Sequence, residues 1–318
     1  MNLRNKIIGV LLSISGIFAL GSCEDLIFDE MKDCHQGVYV KFYSKTPCDV
    51  DSLYPVEINN LNIYIFDAND RYVSTSTIND VTISKDFQFL IPIQTHGKYS
   101  FVAWSGIRDH YTLENLQVGE TSRDELLLQL KRIENIAENI KGSTLFTGIS
   151  PYVFLPDPET VKAPFYEYTA INMREYTNRI EVKIEGVEDP QDYEVDIAMR
   201  NGDYSAKGDI LLNGDILHYP AEYDYADNIL SAKFTMLKLE TGYNDWLTIK
   251  NKNSEETFYQ GDFLGTLLLQ NPDVNLSCDN DFVIRFVIED RGSYYSVEIW
   301  VNDWLVHSYE TEVSGGDY

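Results

Sequence analysis

The amino-acid sequence predicts an all-β protein built as two tandem β-sandwiches behind a secretory leader. Tyrosine (22 residues) and phenylalanine (15 residues) are abundant among the 318 residues, which favours strands over helices. Short segments that alternate apolar and polar side chains recur along the chain, and each is bounded by turn residues. A proline-rich passage divides these segments into two groups, and the length suffices for two domains.

The chain begins with the features of a bacterial lipoprotein signal peptide. Two basic residues, Arg4 and Lys6, precede an apolar stretch of 14 residues, 7–20, and small residues then stand directly before a cysteine. The pattern for signal peptidase II recognition consists of Leu20, Gly21 and Ser22, followed by Cys23. We therefore expect residues 1–22 to be removed and a covalent lipid to be attached to Cys23. No other cofactor is expected.

The alternative is that residues 7–20 form a transmembrane helix. At about 1.5 Å per residue, these 14 residues span about 21 Å, which falls short of the hydrocarbon core of roughly 30 Å. No later apolar stretch reaches transmembrane length. The lipid is therefore the expected membrane attachment, and two or more acyl chains would make it stable.

The mature chain, 23–318, is strongly acidic. The loss of two basic residues from 25 leaves 23 against 51 acidic residues, a formal charge of −28. A field of this sign repels phosphate backbones, which argues against nucleic acid as a partner. It also repels anionic headgroups, so the lipid must hold the protein at the membrane without help from a basic patch.

Three cysteines remain in the mature chain besides Cys23. The space outside the inner membrane permits disulfides, and a bridge between Cys34 and Cys48 would close a short loop. In the chain-entropy model such a bridge contributes on the order of 3 kcal/mol. Cys278 is then expected to be unpaired and to act as a small buried apolar residue. The alternative is three free thiols in a reducing, anaerobic setting.

The first half of the mature chain divides into an acidic tether, 23–33, and a predicted N-terminal sandwich, 34–160. Its strands are predicted over the alternating stretches 38–43, 61–66, 87–91 and 99–104. Turn residues follow the second of these stretches at 67–70 and the strand pattern resumes at 71–73, which is typical of a hairpin with a four-residue loop.

Residues 122–142 are compatible with two interpretations. Ser122 and Glu125 have the spacing of a helix capping box, and apolar residues follow at helical intervals. The segment 126–130, however, has leucine at every second position, as a strand would. We expect that segment to be a strand, followed by a short helix or loop.

The second half is predicted to form a C-terminal sandwich, 161–318. Four prolines between residues 151 and 164 are not expected inside a sheet, so this passage is predicted to connect the two sandwiches. Strands are predicted over 180–185, 193–199, 232–236, 282–289 and 295–301. Asn201-Gly202 is a strong hairpin dipeptide, and Asp262 is expected to cap a short helix over 263–270.

The sequence contains no recognisable catalytic or metal-binding constellation. The five histidines are scattered, and no zinc-protease, nucleophile-elbow or phosphate-loop motif is present. Asp67 opens a stretch that begins like a calcium loop, but Arg71 and Tyr72 occupy positions where that loop needs Asp or Asn and then Gly. A hairpin turn is expected there instead. We therefore expect neither a metal nor an enzymatic activity.

Several stretches, taken in their order, resemble one known family. They are the lipobox ending at Cys23 and the stretches 34–42, 61–67, 99–104, 174–182 and 300–304. The chain resembles the FimB/Mfa2 family of fimbrial anchor lipoproteins of Bacteroidales, and the resemblance covers nearly the whole mature chain. It implies two transthyretin-like sandwiches, a lipid anchor in the outer membrane and a place at the base of a type V fimbrium. There the anchor would contact a shaft subunit and influence shaft length. The acidic residues after Cys23 resemble the surface-export signal of Bacteroidetes lipoproteins.

Fimbrial shaft or tip subunits of the same superfamily are the nearest alternative. Shaft subunits commonly mature when an arginine-specific protease removes an N-terminal strand and frees a groove for a neighbour's donor strand. No arginine lies between Cys23 and Arg71, so the first strand is expected to remain, which suits an anchor. Lys32, Lys41 and Lys45 remain available to other proteases.

A surface glycan-binding lipoprotein is the alternative from a different functional class. Such a protein would present coplanar aromatic rings on an exposed face, whereas an anchor would present an apolar groove or an edge strand. The candidate aromatic residues are Tyr223, Tyr225, Tyr294 and Tyr295. Tyrosines in such positions more often cover sandwich faces and strand edges.

Overall fold

A computed structural model describes residues 35–107, 110–113, 115–161, 163–211, 214–243, 245–270, 273–292 and 294–312. These residues form 24 strands, two short α-helices and two 3₁₀ helices, so the predicted all-β class is confirmed. The leader, the tether and Cys34 lie outside the described residues.

The strands of the first half are β1 (Gln36–Tyr43), β2 (Asn60–Phe66), β3 (Tyr72–Asn79), β4 (Phe89–Pro92), β5 (Gly97–Ser105), β6 (Tyr111–Leu113), β7 (Leu127–Leu130), β8 (Arg132–Ile133), β9 (Ile136–Ala137), β10 (Phe146–Ile149), β11 (Val153–Leu155), β12 (Phe165–Asn172) and β13 (Arg174–Glu175). The strands of the second half are β14 (Thr177–Glu185), β15 (Tyr193–Met199), β16 (Asp203–Ser205), β17 (Leu217–Tyr219), β18 (Glu222–Ala226), β19 (Ile229–Leu237), β20 (Asp245–Asn251), β21 (Thr257–Gly261), β22 (Asp281–Asp290), β23 (Tyr294–Val301) and β24 (Trp304–Glu312). The α-helices are α1 (Pro158–Val161) and α2 (Phe263–Leu268), and the 3₁₀ helices span Arg123–Glu125 and Pro190–Asp192.

The N-terminal sandwich packs a three-stranded sheet onto a larger one. The small sheet has the order β12-β1-β4, the larger sheet has the order β13-β10-β5-β2-β3, and β11 also pairs with β5. The period of two along β1 turns Val38, Val40 and Phe42 inward, where they are fully buried. Ile63 and Phe101 belong to the same apolar cluster from the opposite sheet. The core therefore lies between the two sheets.

The C-terminal sandwich has two six-stranded sheets, in the orders β18-β19-β14-β22-β23-β24 and β21-β20-β15-β17-β9-β8. The predicted alternation over 180–185 is confirmed in β14, where Ile180, Val182 and Ile184 are buried. Ile197 and Leu247 from the second sheet join them in one apolar cluster. The two sandwiches form the tandem transthyretin-like arrangement that the sequence resemblance implies.

The residues between β5 and β10 join the two sandwiches. Leu128 and Leu130 of β7 belong to the C-terminal apolar cluster, which also includes Trp104 on the outer face of β5. The strand predicted over 126–130 is confirmed, but the next residues form the hairpin β8–β9 and not a helix. The capping box of Ser122 and Glu125 is present, and it caps only a 3₁₀ turn.

The expected domain boundary after residue 160 is too early. β12 pairs in parallel with β1 along its full length, and β13 pairs with β10, so the N-terminal sandwich continues to Glu175. The proline-rich passage was not expected inside a sheet, but it contains a strand. β11 lies between Pro151 and Pro156 and pairs with β5. Because both prolines lie outside β11, the N–H groups of its three residues remain available for pairing.

The dipeptide Asn201-Gly202 does not connect neighbouring strands of one sheet. β15 pairs with β17 and β20, whereas β16, directly after the dipeptide, pairs with β7. The buried Asn201 amide donates to the carbonyl oxygens of Leu237 (2.9 Å) and Lys238 (3.2 Å) and accepts from the Tyr219 hydroxyl (2.7 Å). These buried bonds, rather than turn propensity, determine its position.

The chain ends in three antiparallel strands where two were predicted. β22 and β23 confirm the predicted pair, and β24 adds a further strand to β23. The turn before β24 contains Asn302 and Asp303, both with positive φ. The alternation of apolar and polar side chains is weak in β24, because three apolar residues stand in a row at its start. Trp304 and Leu305 are exposed, and Val306 is buried. No helix within the described ranges is long and apolar enough to span a membrane.

Candidate functional site

The first described strand fills the centre of its own sheet. β1 lies between β4 and β12, which pair with β1 and not with each other. Past its last residue, Lys45 continues the contact, because its N–H donates to the Asn172 side-chain oxygen (2.8 Å) and its carbonyl accepts from the Asn172 amide (2.9 Å). The Asn172 side chain thus extends the parallel ladder beyond β12.

Loss of β1 would open this sandwich. Val38, Val40 and Phe42 are each at most 1% exposed, and burial of such a side chain contributes about 1.5–3 kcal/mol. The three together therefore contribute roughly 5–9 kcal/mol before the ladder hydrogen bonds are counted. A chain without β1 would present an apolar groove between β4 and β12, whereas the intact chain fills that groove itself.

A disulfide joins the two sandwiches, and it is not the predicted one. Cys48, in the loop between β1 and β2, bonds to Cys278, 230 residues later, with a Cα–Cα distance of 6.0 Å. The expected Cys34–Cys48 bridge is therefore wrong, and so is the expectation of an unpaired Cys278. In the sequence, β1 lies between the two positions, and its eight residues extend over roughly 26 Å at ~3.3 Å per residue.

Polar contacts surround this disulfide. The Asn275 amide donates to the Cys48 sulfur (3.5 Å), and the Arg174 guanidinium donates to the Ser277 carbonyl (2.6 Å). Both contacts link the N-terminal sandwich to the segment that carries Cys278. The passage from one sandwich to the other is therefore fixed by a covalent bond and by side-chain bonds on each side of it.

The stretch 174–182, which contributed to the family resemblance, lies at this junction. The Arg179 guanidinium contacts the Asp281 carboxylate (2.6 Å) and the Glu175 carboxylate (2.6 Å). Hydrogen bonds from Arg179 lower the pKa of Asp281 and in turn raise the pKa of Arg179. Asn280 also donates to Glu175 (3.0 Å). This residue cluster therefore positions the segment before β22 against the link between the sandwiches.

The C-terminal sandwich presents an edge strand beside an apolar groove. β24 is the last strand of its sheet, so within the described ranges one side of its backbone has no strand partner. A cavity of about 260 Å³ lies beside it, lined by α2, β21 and the last two strands. Leu269 is 42% exposed at its rim, whereas Ile299 and Val306 lie buried at its base. We call this feature the β24 groove.

Helix α2 forms one wall of the β24 groove, and its start is fixed by two carboxylates. The predicted cap is confirmed, since the Asp262 side chain accepts from the Gly265 N–H. Asp245 accepts from the Leu264 N–H (3.0 Å), and burial raises the pKa of Asp245 to about 6. The Tyr259 hydroxyl contacts Thr266 (2.9 Å) on the same helix. The groove wall is therefore held by several bonds and not by helix propensity alone.

Of the other predicted site residues, the structure describes Asp67 but not the lipobox or Cys34. Leu20, Gly21, Ser22, Cys23 and Cys34 lie outside the described residues. Asp67 closes the predicted hairpin turn, because its side chain accepts from the N–H groups of Asn69 (2.8 Å) and Arg71 (2.9 Å). Across the described ranges no group of three or more histidine, cysteine or acidic residues is arranged to hold a metal.

The four candidate platform tyrosines do not form one surface. Tyr223 and Tyr225 stack on β18 with their ring centroids 6.3 Å apart. The Tyr223 hydroxyl bonds to the backbone N–H (3.0 Å) and carbonyl (3.1 Å) of Val195, so this ring closes the edge of the sandwich. Tyr294 and Tyr295 lie on β23, separated from β18 by three strands. The structure therefore does not bring these four rings together on one exposed face.

Sequence reasoning missed β24, the groove beside it and the partner of Cys48. Leu269 lies in the predicted helix and Val306 lies in the unpredicted strand, and no pattern indicated that the two share a surface. The only available signal for the disulfide was the presence of three cysteines, which allow three pairings.

Comparisons with known proteins agree on one relationship. The family model described as fimbrillin-A associated anchor proteins Mfa1 and Mfa2 matches residues 31–310. The minor fimbrium anchoring subunit Mfa2 of Porphyromonas gingivalis is 37% identical over 320 residues, which cover 98% of each chain. The solved structure of the fimbrial anchor protein Mfa2 from Porphyromonas gingivalis has a TM-score of 0.79 and 38% identity, and the match covers 87% of this chain and 100% of that chain. A Bacteroides ovatus structure shares the fold, with a TM-score of 0.71 at 16% identity over 86% of this chain and 96% of that chain.

Proposed function

Because the chain belongs to the family of fimbrillin-A associated anchor proteins, we propose that it is the outer-membrane anchor at the base of a fimbrium. Family membership supports a fimbrial anchoring role, association with fimbrial subunits and a location in the cell envelope or at the cell surface. The protein is accordingly structural and not an enzyme. The proposal adds four elements: a lipid on Cys23, residence in the outer membrane, strand pairing with one shaft subunit, and termination of the shaft.

The central position of β1 is the observation that carries this proposal. β1 begins 13 residues after Cys23. A short tether would therefore connect the lipid to a strand that lies in the middle of its own sheet. A neighbour's donor strand has no room in a slot that is already filled. Cleavage at Arg71, the first arginine after Cys23, would remove both β1 and β2. The chain is therefore suited to end a polymer and not to extend it through this slot.

The β24 groove is the surface that we assign to the shaft subunit. An added strand would pair with the free backbone edge of β24, and its alternate side chains would enter the apolar groove. Trp304 and Leu305 are about half exposed at the start of β24 and extend the apolar surface. Backbone pairing would give strength to this joint, and the groove would give it specificity.

Deletion of the gene tests the anchoring role. Fimbriae are expected in the culture medium, with altered lengths, while shaft subunits are still made. Electron microscopy of cells and medium, with immunoblots of shaft subunits in each fraction, measures the result. If fimbriae stay attached and normal while growth on a particular glycan is lost, the protein is a glycan-binding lipoprotein and the proposal is wrong.

A matched pair of variants tests the β24 groove. Leu269→Asp places a charge at the rim of the groove, and Tyr225→Asp places one at a residue of similar exposure on a different edge strand, β18. Leu269→Asp is expected to reduce recovery of shaft subunit with the detergent-released anchor at least tenfold, whereas Tyr225→Asp should not. Circular dichroism confirms that both variants fold. Equal recovery with the two variants would place the shaft contact elsewhere.

A further inference from the structure

We propose that the outer face of the small N-terminal sheet, β12-β1-β4, rests on the headgroup layer of the membrane. The strand register places ten residues on this face: Gly37, Tyr39, Lys41, Tyr43, Leu90, Pro92, Tyr166, Tyr168, Ala170 and Asn172. We call these residues the tyrosine face. The inference rests on the proposed lipid at Cys23.

The tyrosine face carries no carboxylate. Its single charged residue is Lys41, although the chain as a whole has 51 acidic residues. The outer face of the C-terminal sheet differs: on β14 and β22, alternation places ten positions outward, and seven of them are charged, four acidic and three basic. Lipid phosphates repel carboxylates, so a face without them can approach a bilayer more closely than the charged outer face of β14 and β22.

The aromatic residues of this face have the chemistry of an interfacial belt. Tyr39 packs against Tyr168 with stacked rings 5.3 Å apart and against Tyr166 at 5.5 Å. Tyr168 is 63% exposed, although most of its ring is apolar. Tyrosine is enriched at membrane–water interfaces because its ring prefers the apolar side while its hydroxyl bonds to headgroups or water. Three clustered rings on one flat face would satisfy both preferences in the headgroup layer.

The length of chain before β1 brings this face within reach of the bilayer. Gln36 lies 13 positions after Cys23, and a fully extended chain of that length spans at most about 45 Å. β1 is the strand that this segment enters, and its outward side chains Tyr39, Lys41 and Tyr43 belong to the tyrosine face. A lipid on Cys23 would therefore hold this sheet nearer to the bilayer than it holds the C-terminal sandwich.

Hydroxyl-radical footprinting of the lipidated chain tests the proposal. The full mature chain is reconstituted in phosphatidylcholine vesicles and oxidised, and the same sample is then dissolved in detergent and oxidised again. Oxidation of Tyr168 is expected to be at least threefold slower on the vesicles. Tyr223 and Tyr225, which are 41% and 40% exposed on β18, are the internal controls and should change less than 1.5-fold.

A variant pair separates docking from mere attachment. Tyr168→Asp introduces a carboxylate into the tyrosine face and should abolish the slower oxidation of Tyr39 on vesicles, whereas Tyr225→Asp should preserve it. Flotation with the vesicles is measured first. If the wild-type chain fails to float, the lipid on Cys23 is absent and both proposals are wrong. If it floats but Tyr168 oxidises equally fast in both states, or if Tyr223 and Tyr225 are the slowed residues, only the docking proposal is wrong.

Discussion

Loss of the Cys48–Cys278 bond is expected to destabilise the whole molecule, because this bond cross-links the two sandwiches in addition to the backbone. In the chain-entropy model, loss of a disulfide with a sequence separation of 230 lowers the free energy of unfolding by about 5 kcal/mol. Removal of a native disulfide commonly costs about 2–5 kcal/mol, so we expect Cys48→Ser with Cys278→Ser to lower the free energy of unfolding by that amount. In a chain of this size the melting temperature should fall by on the order of 10 °C.

The assay is equilibrium unfolding in guanidinium chloride without reductant, followed by tryptophan fluorescence. Cys34→Ser is the matched control, because that residue is not the partner of Cys48, and it should change the free energy of unfolding by less than about 0.5 kcal/mol. Mass mapping of unreduced peptides should recover a fragment that contains both Cys48 and Cys278. A Cys34→Ser variant as destabilised as the double variant, or a double variant as stable as the wild type, would refute this reasoning.

Two further changes follow from buried polar groups. Asn201→Ala removes the partner of the Tyr219 hydroxyl and of two buried carbonyls. It should lower the free energy of unfolding by roughly 2–4 kcal/mol, because each unsatisfied group costs about 1–3 kcal/mol. An unchanged chemical denaturation curve would contradict this role. Asp245 has a folded-state pKa of about 6, above its ordinary value of 3.8. The resulting contribution to folding stability is fully present below pH 3.8 and is lost as the pH rises through 6. The stability of the wild type relative to Asp245→Asn should therefore fall between pH 4 and pH 7, and parallel pH profiles for the two proteins would show that burial does not perturb this carboxylate.

Local patterns determined 11 of the 24 described strands and the cap of α2. β1, β2, β5 and β14 follow directly from alternation of apolar and polar side chains, because a strand with one buried face must repeat every two residues. The turn after β2 and the cap of α2 were also predictable. Both depend on a side chain that bonds to a backbone N–H a few residues away.

The candidate site could be predicted only in part. The sequence indicated that the chain keeps its first strand, since no arginine precedes Arg71. It did not indicate that β1 is the central strand of its sheet, because β12, its parallel partner, begins more than a hundred residues later. The β24 groove was not predicted either. Its wall and its edge come from different stretches of the chain, and the exposed start of β24 weakens the alternation that marks a strand.

By itself, the sequence determined the all-β class, the lipobox, the first strand and the family resemblance, since each is recorded in neighbouring residues. Tertiary structure alone decided that Cys48 pairs with Cys278, that the N-terminal sandwich runs to Glu175, and that hairpin β8–β9 pairs with the C-terminal sandwich. These contacts join residues that are between 27 and 230 positions apart. The shortest separation is that of Thr147 and Arg174, and the longest is that of the disulfide. Periodicity and turn propensity act over a few residues, so they cannot specify which distant segments meet when the core closes.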